Sequence, residues 1–189
     1  MSRSPRARTR RRRALTSTAV GMVVVAIIVT LACQSVSSST VTEDDGVLPD
    51  GTTAFDDHFP GVANLDPGLL RALLDAARDA ADDGIALHVN SGWRSPEYQN
   101  QLLDEAVAAY GSEAEADRWV ATADTSAHVS GAAVDIGYVD ATVWLSEHGA
   151  SHGLCQIYGN EPWHYELRPK AVSSGCPPLA AVGAVLDHR

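Results

Sequence analysis

The sequence predicts an α+β fold in which helices pack on a small, mainly antiparallel sheet. Three helices are predicted early in the chain, and most of the predicted strands cluster after residue 131. Hydrophobic residues make up 45% of the 189 residues, which is enough for a buried core. The length allows one ordinary domain, which we place at residues 54–179.

The first predicted helix begins at Asp66 and Pro67. Asp66 is a favourable N-cap because its carboxylate accepts hydrogen bonds from the first turn, and proline is common at the next position. Gly84 ends it. Residues 85–90 then alternate as a strand. The helix carries an apolar stripe made of Leu69, Leu70, Leu73, Leu74, Ala77 and Ala81.

A second helix is predicted from Ser95 to Tyr110, and a third over residues 113–123. The later part of the chain is predicted to form a strand, a helix and then two more strands. These elements are predicted at residues 132–138, 140–148, 154–158 and 163–168.

The N-terminal region, residues 1–33, is predicted to export and tether the protein. Seven arginines precede the apolar stretch Ala19–Ala32, and basic residues on this flank keep the N-terminus in the cytoplasm. Three outcomes remain open: an uncleaved membrane anchor, a lipoprotein modified at Cys33, or simple secretion. The first two place the domain at the extracellular face of the membrane.

Residues 34–53 are rich in Ser, Thr, Asp and Gly and are predicted to form a flexible linker. Residues 180–189 form a short C-terminal tail. In an oxidising compartment, Cys155 and Cys176 are predicted to form a disulfide, because their spacing fits no common zinc module.

The domain is strongly acidic. From residue 41 onward there are 7 basic and 24 acidic residues, a formal charge of −17. Such a surface repels phosphate backbones, so we exclude a nucleic-acid partner for the domain. No oligomeric state is predicted.

His128 and Asp135 lie on either side of a turn at Gly131. A strand over residues 132–138 alternates its side chains, so Asp135 faces away from its apolar neighbours and towards a cleft. Imidazole and carboxylate are zinc ligands, and His164 would supply a third. Three protein ligands leave a fourth position open, which is typical of a catalytic zinc site.

Two carboxylates are candidates for a general base. Glu161 precedes His164 by three residues, and Pro162 biases it towards extended backbone. Glu166 shares a face with His164 if that segment is a strand, so the spacing alone leaves both open.

Three segments together resemble the zinc D-alanyl-D-alanine carboxypeptidases of the VanY type. They are SGWRSPEYQNQLL, SAHVSGAAVDIG and NEPWHYEL, and their order and spacing match as well. The resemblance covers about residues 55–170. It implies the fold of the D-Ala-D-Ala peptidases, which the zinc domain of Hedgehog proteins shares.

The resemblance also implies roles for individual residues. The zinc ligands of the family fall on His128, Asp135 and His164, with one zinc ion per domain. Its catalytic base falls on Glu161, and its substrate- or transition-state-binding arginine falls on Arg94.

Substrate contacts are implied for Ser126 and Gln99, in addition to Arg94. Ala127 and Val129 stand where many relatives carry polar residues. These two differences concern the rim of the substrate site rather than a ligand position.

The implied activity is hydrolysis of the terminal D-Ala-D-Ala bond of peptidoglycan stem peptides. Two alternatives stay open. One is an L,D-carboxypeptidase or an endopeptidase of the same fold, and the other is a non-catalytic zinc-containing module that binds the cell wall.

Overall fold

The computed structural model describes residues 40–180. The predicted anchor at residues 1–33, the linker as far as residue 39 and the tail from residue 181 onward lie outside the described residues. Among residues 40–180, no helix combines the length and the apolar character needed to span a bilayer.

The described chain contains six α-helices, four β-strands and two short 3₁₀ turns. The 3₁₀ turns lie at Glu43–Asp45 and Gly149–His152. In chain order the other elements are α1 Pro60–Ala63, α2 Pro67–Asp82, β1 Val89–Ser91, α3 Pro96–Tyr110, α4 Glu113–Ala116, β2 Ala133–Ile136, α5 Val139–His148, β3 Leu154–Gln156, β4 His164–Leu167 and α6 Ala171–Ser174.

Helix α2 begins as predicted. The carboxylate of Asp66 accepts hydrogen bonds from the backbone N–H groups of Gly68 and Leu69, and Pro67 occupies the first turn. One face of the helix is buried against the sheet, through Leu69, Leu73, Ala76, Ala77 and Ala80.

The four strands form one antiparallel sheet in the order β1-β2-β4-β3. Its core face carries apolar side chains, among them Val134 and Tyr165, which contact α2 and α5. The opposite face of β2 and β4 carries Asp135, His164 and Glu166, as expected for the alternation of side chains along a strand. The α+β class, with helices on a small antiparallel sheet, is thus confirmed.

Two predicted elements differ from the structure. The helix expected over residues 113–123 ends at Ala116, and the strand expected at residues 85–90 lies at Val89–Ser91. After Ala116 the chain forms turns in which the hydroxyls of Thr122 and Thr125 bond to each other at 2.9 Å. Nearer the helix end, Trp119 and Val120 donate their N–H groups to the Ala116 carbonyl at 2.8 and 2.9 Å, which closes a turn at that point.

Part of the segment predicted as linker packs on the domain. Ser95 donates its backbone N–H to the carbonyl of Asp45 at 2.8 Å and its hydroxyl to the Asp45 carboxylate at 3.0 Å. Thr52 is buried and accepts the N–H of Val89 at 2.8 Å. Packed structure therefore extends N-terminal to the predicted boundary at residue 54.

The C-terminal part of the described chain is held against β3. A disulfide joins Cys155 to Cys176, with Cα atoms 5.6 Å apart. Ala180 then donates its N–H to Ile157 at 2.8 Å and accepts that of Gly159 at 3.0 Å. These contacts brace the segment that leads into the loop containing Glu161.

Candidate active site

His128, Asp135 and His164 come together in one buried cluster. One potential ligand atom from each residue lies within 4.8 Å of the other two. Asp135 on β2 pairs directly with His164 on β4, which places the Asp135 Oδ1 3.2 Å from the His164 Nδ1. The His128 Nε2 lies 3.3 Å from the same oxygen.

A tight turn brings His128 to the sheet. Gly131 donates its N–H to the His128 carbonyl at 3.0 Å, and Ala132 donates to Ala127 at 2.8 Å. Gly131 has a φ of +72°, and a Cβ there would overlap the carbonyl oxygen of Asn64. Glycine is therefore required at this position, as the turn predicted from the sequence implies.

Each histidine ring is oriented through the nitrogen that faces away from the cluster. The His128 Nδ1–H donates to the backbone carbonyl of Gly92 at 2.8 Å. The His164 Nε2–H donates to the Glu166 carboxylate at 3.2 Å. Carbonyl and carboxylate oxygens only accept, so each of these contacts holds a hydrogen on the outer nitrogen, and the inner nitrogen of each ring faces the Asp135 Oδ1.

The surroundings move the pKa values of the two histidines in opposite directions. Burial lowers the pKa of His128. Burial alone would do the same at His164, but its hydrogen bonds to Asp135 and Glu166 outweigh it and raise the pKa of His164 to about 9. In the metal-free protein, His164 therefore holds the proton that a metal ion would displace.

Asp135 remains ionised. Burial disfavours its charge, but His128, His164 and Arg94 outweigh burial and hold the pKa of Asp135 well below its usual range. Its Oδ1 faces the two imidazoles, whereas its Oδ2 accepts from the Arg94 Nη2 at 2.9 Å. One anionic and two imidazole donors directed at a common point suit a divalent zinc ion.

The structure separates the two candidate bases. The Glu161 Oε2 lies 3.9 Å from the His164 Nδ1, on the side of the ring that faces the cluster. Glu166 contacts the Nε2 on the opposite side. Burial raises the pKa of Glu161, which brings it closer to the range of a useful general base. Glu161, and not Glu166, therefore lies on the side of the His164 ring that faces the cluster and lines the pocket.

Arg94, Gln99 and Ser126 form a connected network beside the cluster. The Gln99 Oε1 accepts from the Arg94 Nη1 at 3.2 Å and from the Ser126 hydroxyl at 3.1 Å. Its amide nitrogen donates to the carbonyl of Ala121 at 2.8 Å. Because only 1% of Gln99 is exposed, its main contacts are with Arg94 and Ser126 rather than with solvent.

The cluster and the neighbouring network line part of a pocket of about 490 Å³. We call this part, formed by Arg94, His128, Asp135, Glu161 and His164, the ligand end. The other part, formed by Leu102, Tyr110, Trp119 and Val120, is here called the aromatic end.

The aromatic end was not predicted from the sequence. The rings of Tyr110 and Trp119 stack at 6.0 Å between centroids, with an angle of 15° between their planes. Tyr110 lies at the end of α3, and Trp119 follows α4, where a longer helix was expected. No spacing rule links these two residues, since their contact depends on how the chain turns after Ala116.

Known proteins similar to this chain belong to one family. The family model described as VanY, D-alanyl-D-alanine carboxypeptidase, matches residues 63–170. A D-alanyl-D-alanine carboxypeptidase of Enterococcus faecalis (strain ATCC 700802 / V583) is 37% identical over 121 residues. That match covers 51% of this chain and 44% of the relative, so the chain spans less than half the length of this relative.

Two solved structures are similar to the described fold. A variant of the vancomycin resistance D,D-pentapeptidase VanY from a VanB-type cassette, in complex with Zn(II), is 32% identical with a TM-score of 0.51. The matched region covers 55% of this chain and 72% of the VanY chain. VanYB in complex with D-alanine-D-alanine is 30% identical with a TM-score of 0.54. The matched region covers 59% of this chain and 74% of the VanYB chain.

The family match spans more than half of the chain and includes all three clustered side chains together with Glu161 and Arg94. The resemblance noted in the sequence is thereby confirmed, and the chain belongs to the VanY family of D-alanyl-D-alanine carboxypeptidases.

Proposed function

We propose that this protein is a zinc-dependent D,D-carboxypeptidase that removes the terminal D-alanine from peptidoglycan stem peptides. The observation that carries this proposal is the buried His128–Asp135–His164 cluster with Glu161 beside its open side. The VanYB structure with D-alanine-D-alanine supports the substrate class.

Zinc fits the three side chains present. Two neutral imidazole nitrogens and one carboxylate oxygen form a common ligand set for catalytic zinc, and all three residues are buried. A zinc ion held by three protein ligands supplies Lewis acidity towards water and towards a carbonyl oxygen.

Glu161 is proposed as the general base and then the general acid. Its carboxylate accepts a proton from the attacking water and later delivers that proton to the departing amine. Its position on the open side of the cluster and its raised pKa both suit this exchange.

Arg94 is proposed to bind the anionic part of the substrate or the developing oxyanion. Three of its five N–H groups donate to Ser91, Gln99 and Asp135. Two N–H groups remain for a ligand in the pocket, while the other three hold the guanidinium in place.

Release of D-alanine from a synthetic stem pentapeptide tests this proposal. The full-length chain, purified in mild detergent and loaded with zinc, is expected to convert the pentapeptide to a tetrapeptide, with D-alanine detected by mass spectrometry. A strong chelator should abolish the reaction, and added zinc should restore it. Activity that survives complete removal of zinc would end the proposal.

The same assay separates the alternatives. An L,D-carboxypeptidase would shorten a tetrapeptide stem and leave the pentapeptide intact, and an endopeptidase would cut only cross-linked dimers. A wall-binding module would sediment with peptidoglycan and release no product. Any of these three results would replace the D,D assignment.

We also propose that the enzyme acts outside the membrane, attached through its N-terminal segment. Support comes from the arginine-rich start followed by the apolar stretch Ala19–Ala32. Retention in the membrane fraction after an alkaline wash is the expected result. Recovery in the culture medium would indicate simple secretion instead.

A further inference from the structure

We infer that Glu166 is a positioning residue of the metal centre, which selects the nitrogen that His164 presents to the metal. This inference rests on the zinc site of the proposed function. The geometry behind it is the pair formed by the His164 Nε2 and the Glu166 Oε1, 3.2 Å apart on the face of β4 opposite the core.

A neutral imidazole carries one N–H and one lone pair. The carboxylate of Glu166 can only accept a hydrogen bond, so it retains the hydrogen at the Nε2 of His164. The Nδ1 lies 3.2 Å from the Asp135 Oδ1 and 3.3 Å from the His128 Nε2, so a metal ion bound by those two residues would displace the Nδ1 hydrogen and take the lone pair of that nitrogen. The metal-facing atom of His164 is therefore its Nδ1.

Glu166 is itself held in one orientation. Its second oxygen accepts from the Arg168 Nη2 at 2.7 Å, and only 10% of its side chain is exposed. On β4 it pairs with Ala133 of β2 and with Cys155 of β3. A buried carboxylate with both oxygens engaged has little freedom to turn away from His164.

The two histidines differ in how they are oriented. His128 donates its outer N–H to the backbone carbonyl of Gly92, which no side-chain substitution removes. His164 depends on the side chain of Glu166 for the same purpose. A substitution of Glu166 therefore removes the group that orients His164 and leaves all three metal ligands in the chain.

The zinc affinity of three variants tests the inference. Glu166→Leu keeps a similar volume but removes the acceptor, and should weaken zinc binding by about 10- to 100-fold. Glu166→Gln keeps an acceptor oxygen and should lose less than Glu166→Leu. Asp83→Asn is the matched control, because Asp83 accepts a ring N–H from Trp144 at 2.8 Å outside the site, and it should bind zinc like the wild type.

A second measurement needs no substitution. In the zinc-loaded wild-type protein, a long-range ¹H–¹⁵N spectrum should show metal bound at the Nδ1 of His164 and hydrogen at its Nε2. Metal bound at the Nε2 would overturn the inference, as would unchanged zinc affinity in Glu166→Leu.

The outcomes for the two proposals are distinguishable. A wild-type protein that binds zinc and releases D-alanine, together with a Glu166→Leu variant of equal affinity, would refute only the role of Glu166. A wild-type protein that binds no zinc would refute both.

Discussion

The two ends of the pocket are built in contrasting ways. At the ligand end, His128 and His164 are 5% and 4% exposed, and each hydrogen-bonds to a neighbour through its outer nitrogen. At the aromatic end, Tyr110 and Trp119 are 51% and 46% exposed and stack mainly on each other.

The contrast has a physical basis. Buried polar groups are costly unless they are fully paired, so the ligand end requires one defined arrangement. Exposed aromatic rings carry no such requirement and can accept varied apolar groups. We therefore expect the ligand end to determine the reaction and the aromatic end to adjust which substrates bind well.

Removal of a ligand should have the largest effect. His128→Ala leaves two protein ligands, so zinc should be lost and activity should fall by about a thousandfold or more. Zinc content measured by atomic emission, together with D-alanine release, checks this. His58→Ala, which replaces an exposed histidine, is the control and should leave both unchanged. Stoichiometric zinc in His128→Ala would show that the ligand set is wrong.

Loss of the base should separate chemistry from metal binding. Glu161→Gln should retain zinc but lose activity by about 10²- to 10⁴-fold, because the amide cannot accept the proton. Glu147→Gln, on the exposed face of α5, is the matched control. If Glu161→Gln kept full turnover, the proton would have to go to another group.

Zinc affinity at the ligand end should depend on pH in a defined direction. The pKa of His164 is raised to about 9 in the metal-free protein, so below pH 9 a proton must leave before zinc binds. The pKa of His128 is lowered, so this residue is already neutral near pH 7. The apparent affinity should therefore rise by about tenfold per pH unit between pH 7 and 9 and then level off.

Competition against a chelator of known pH dependence measures this slope. Binding at pH 7 should also release about one proton, which calorimetry in buffers of different ionisation enthalpy detects. An affinity that is flat across this range would contradict the protonated state assigned to His164.

The disulfide should affect stability more than chemistry. Replacing both Cys155 and Cys176 by alanine should lower the free energy of unfolding by about 3 kcal/mol, given a sequence separation of 21 residues. Neither cysteine lines the pocket, so zinc content of the folded variant should not change. Denaturant titration measures the first effect, and loss of zinc from the folded variant would contradict the second.

Substitution at the aromatic end should have the smallest effect. Trp119→Ala should raise KM by a few-fold, about 1 kcal/mol of lost contact, with kcat and zinc content nearly unchanged. Phe55→Ala, an exposed aromatic residue outside this pocket, is the control. A large fall in kcat for Trp119→Ala would mean that the two ends are not separable.

Local patterns were enough to predict much of the fold. The Asp66–Pro67 start and the apolar stripe of the first long helix depend on contacts within a few residues, and α2 begins where they indicate. The helix expected over residues 113–123 ended at Ala116, where Trp119 and Val120 both donate their N–H groups to the Ala116 carbonyl and close a turn. Residues 42–53 looked like a linker because their composition is polar, although several of them bond to the domain.

By itself, the sequence determined which donors are present and in what order: two histidines and an aspartate with a glutamate nearby, in the three segments typical of the family. Only the tertiary structure decided which carboxylate faces the open side and which ring nitrogen of His164 faces the cluster. The reason is that both depend on the register of β2 against β4, which pairs residues 29 positions apart. The sequence specifies which side chains are available as ligands and bases. Which carboxylate lies on which side of the His164 ring is defined only after the strands have paired.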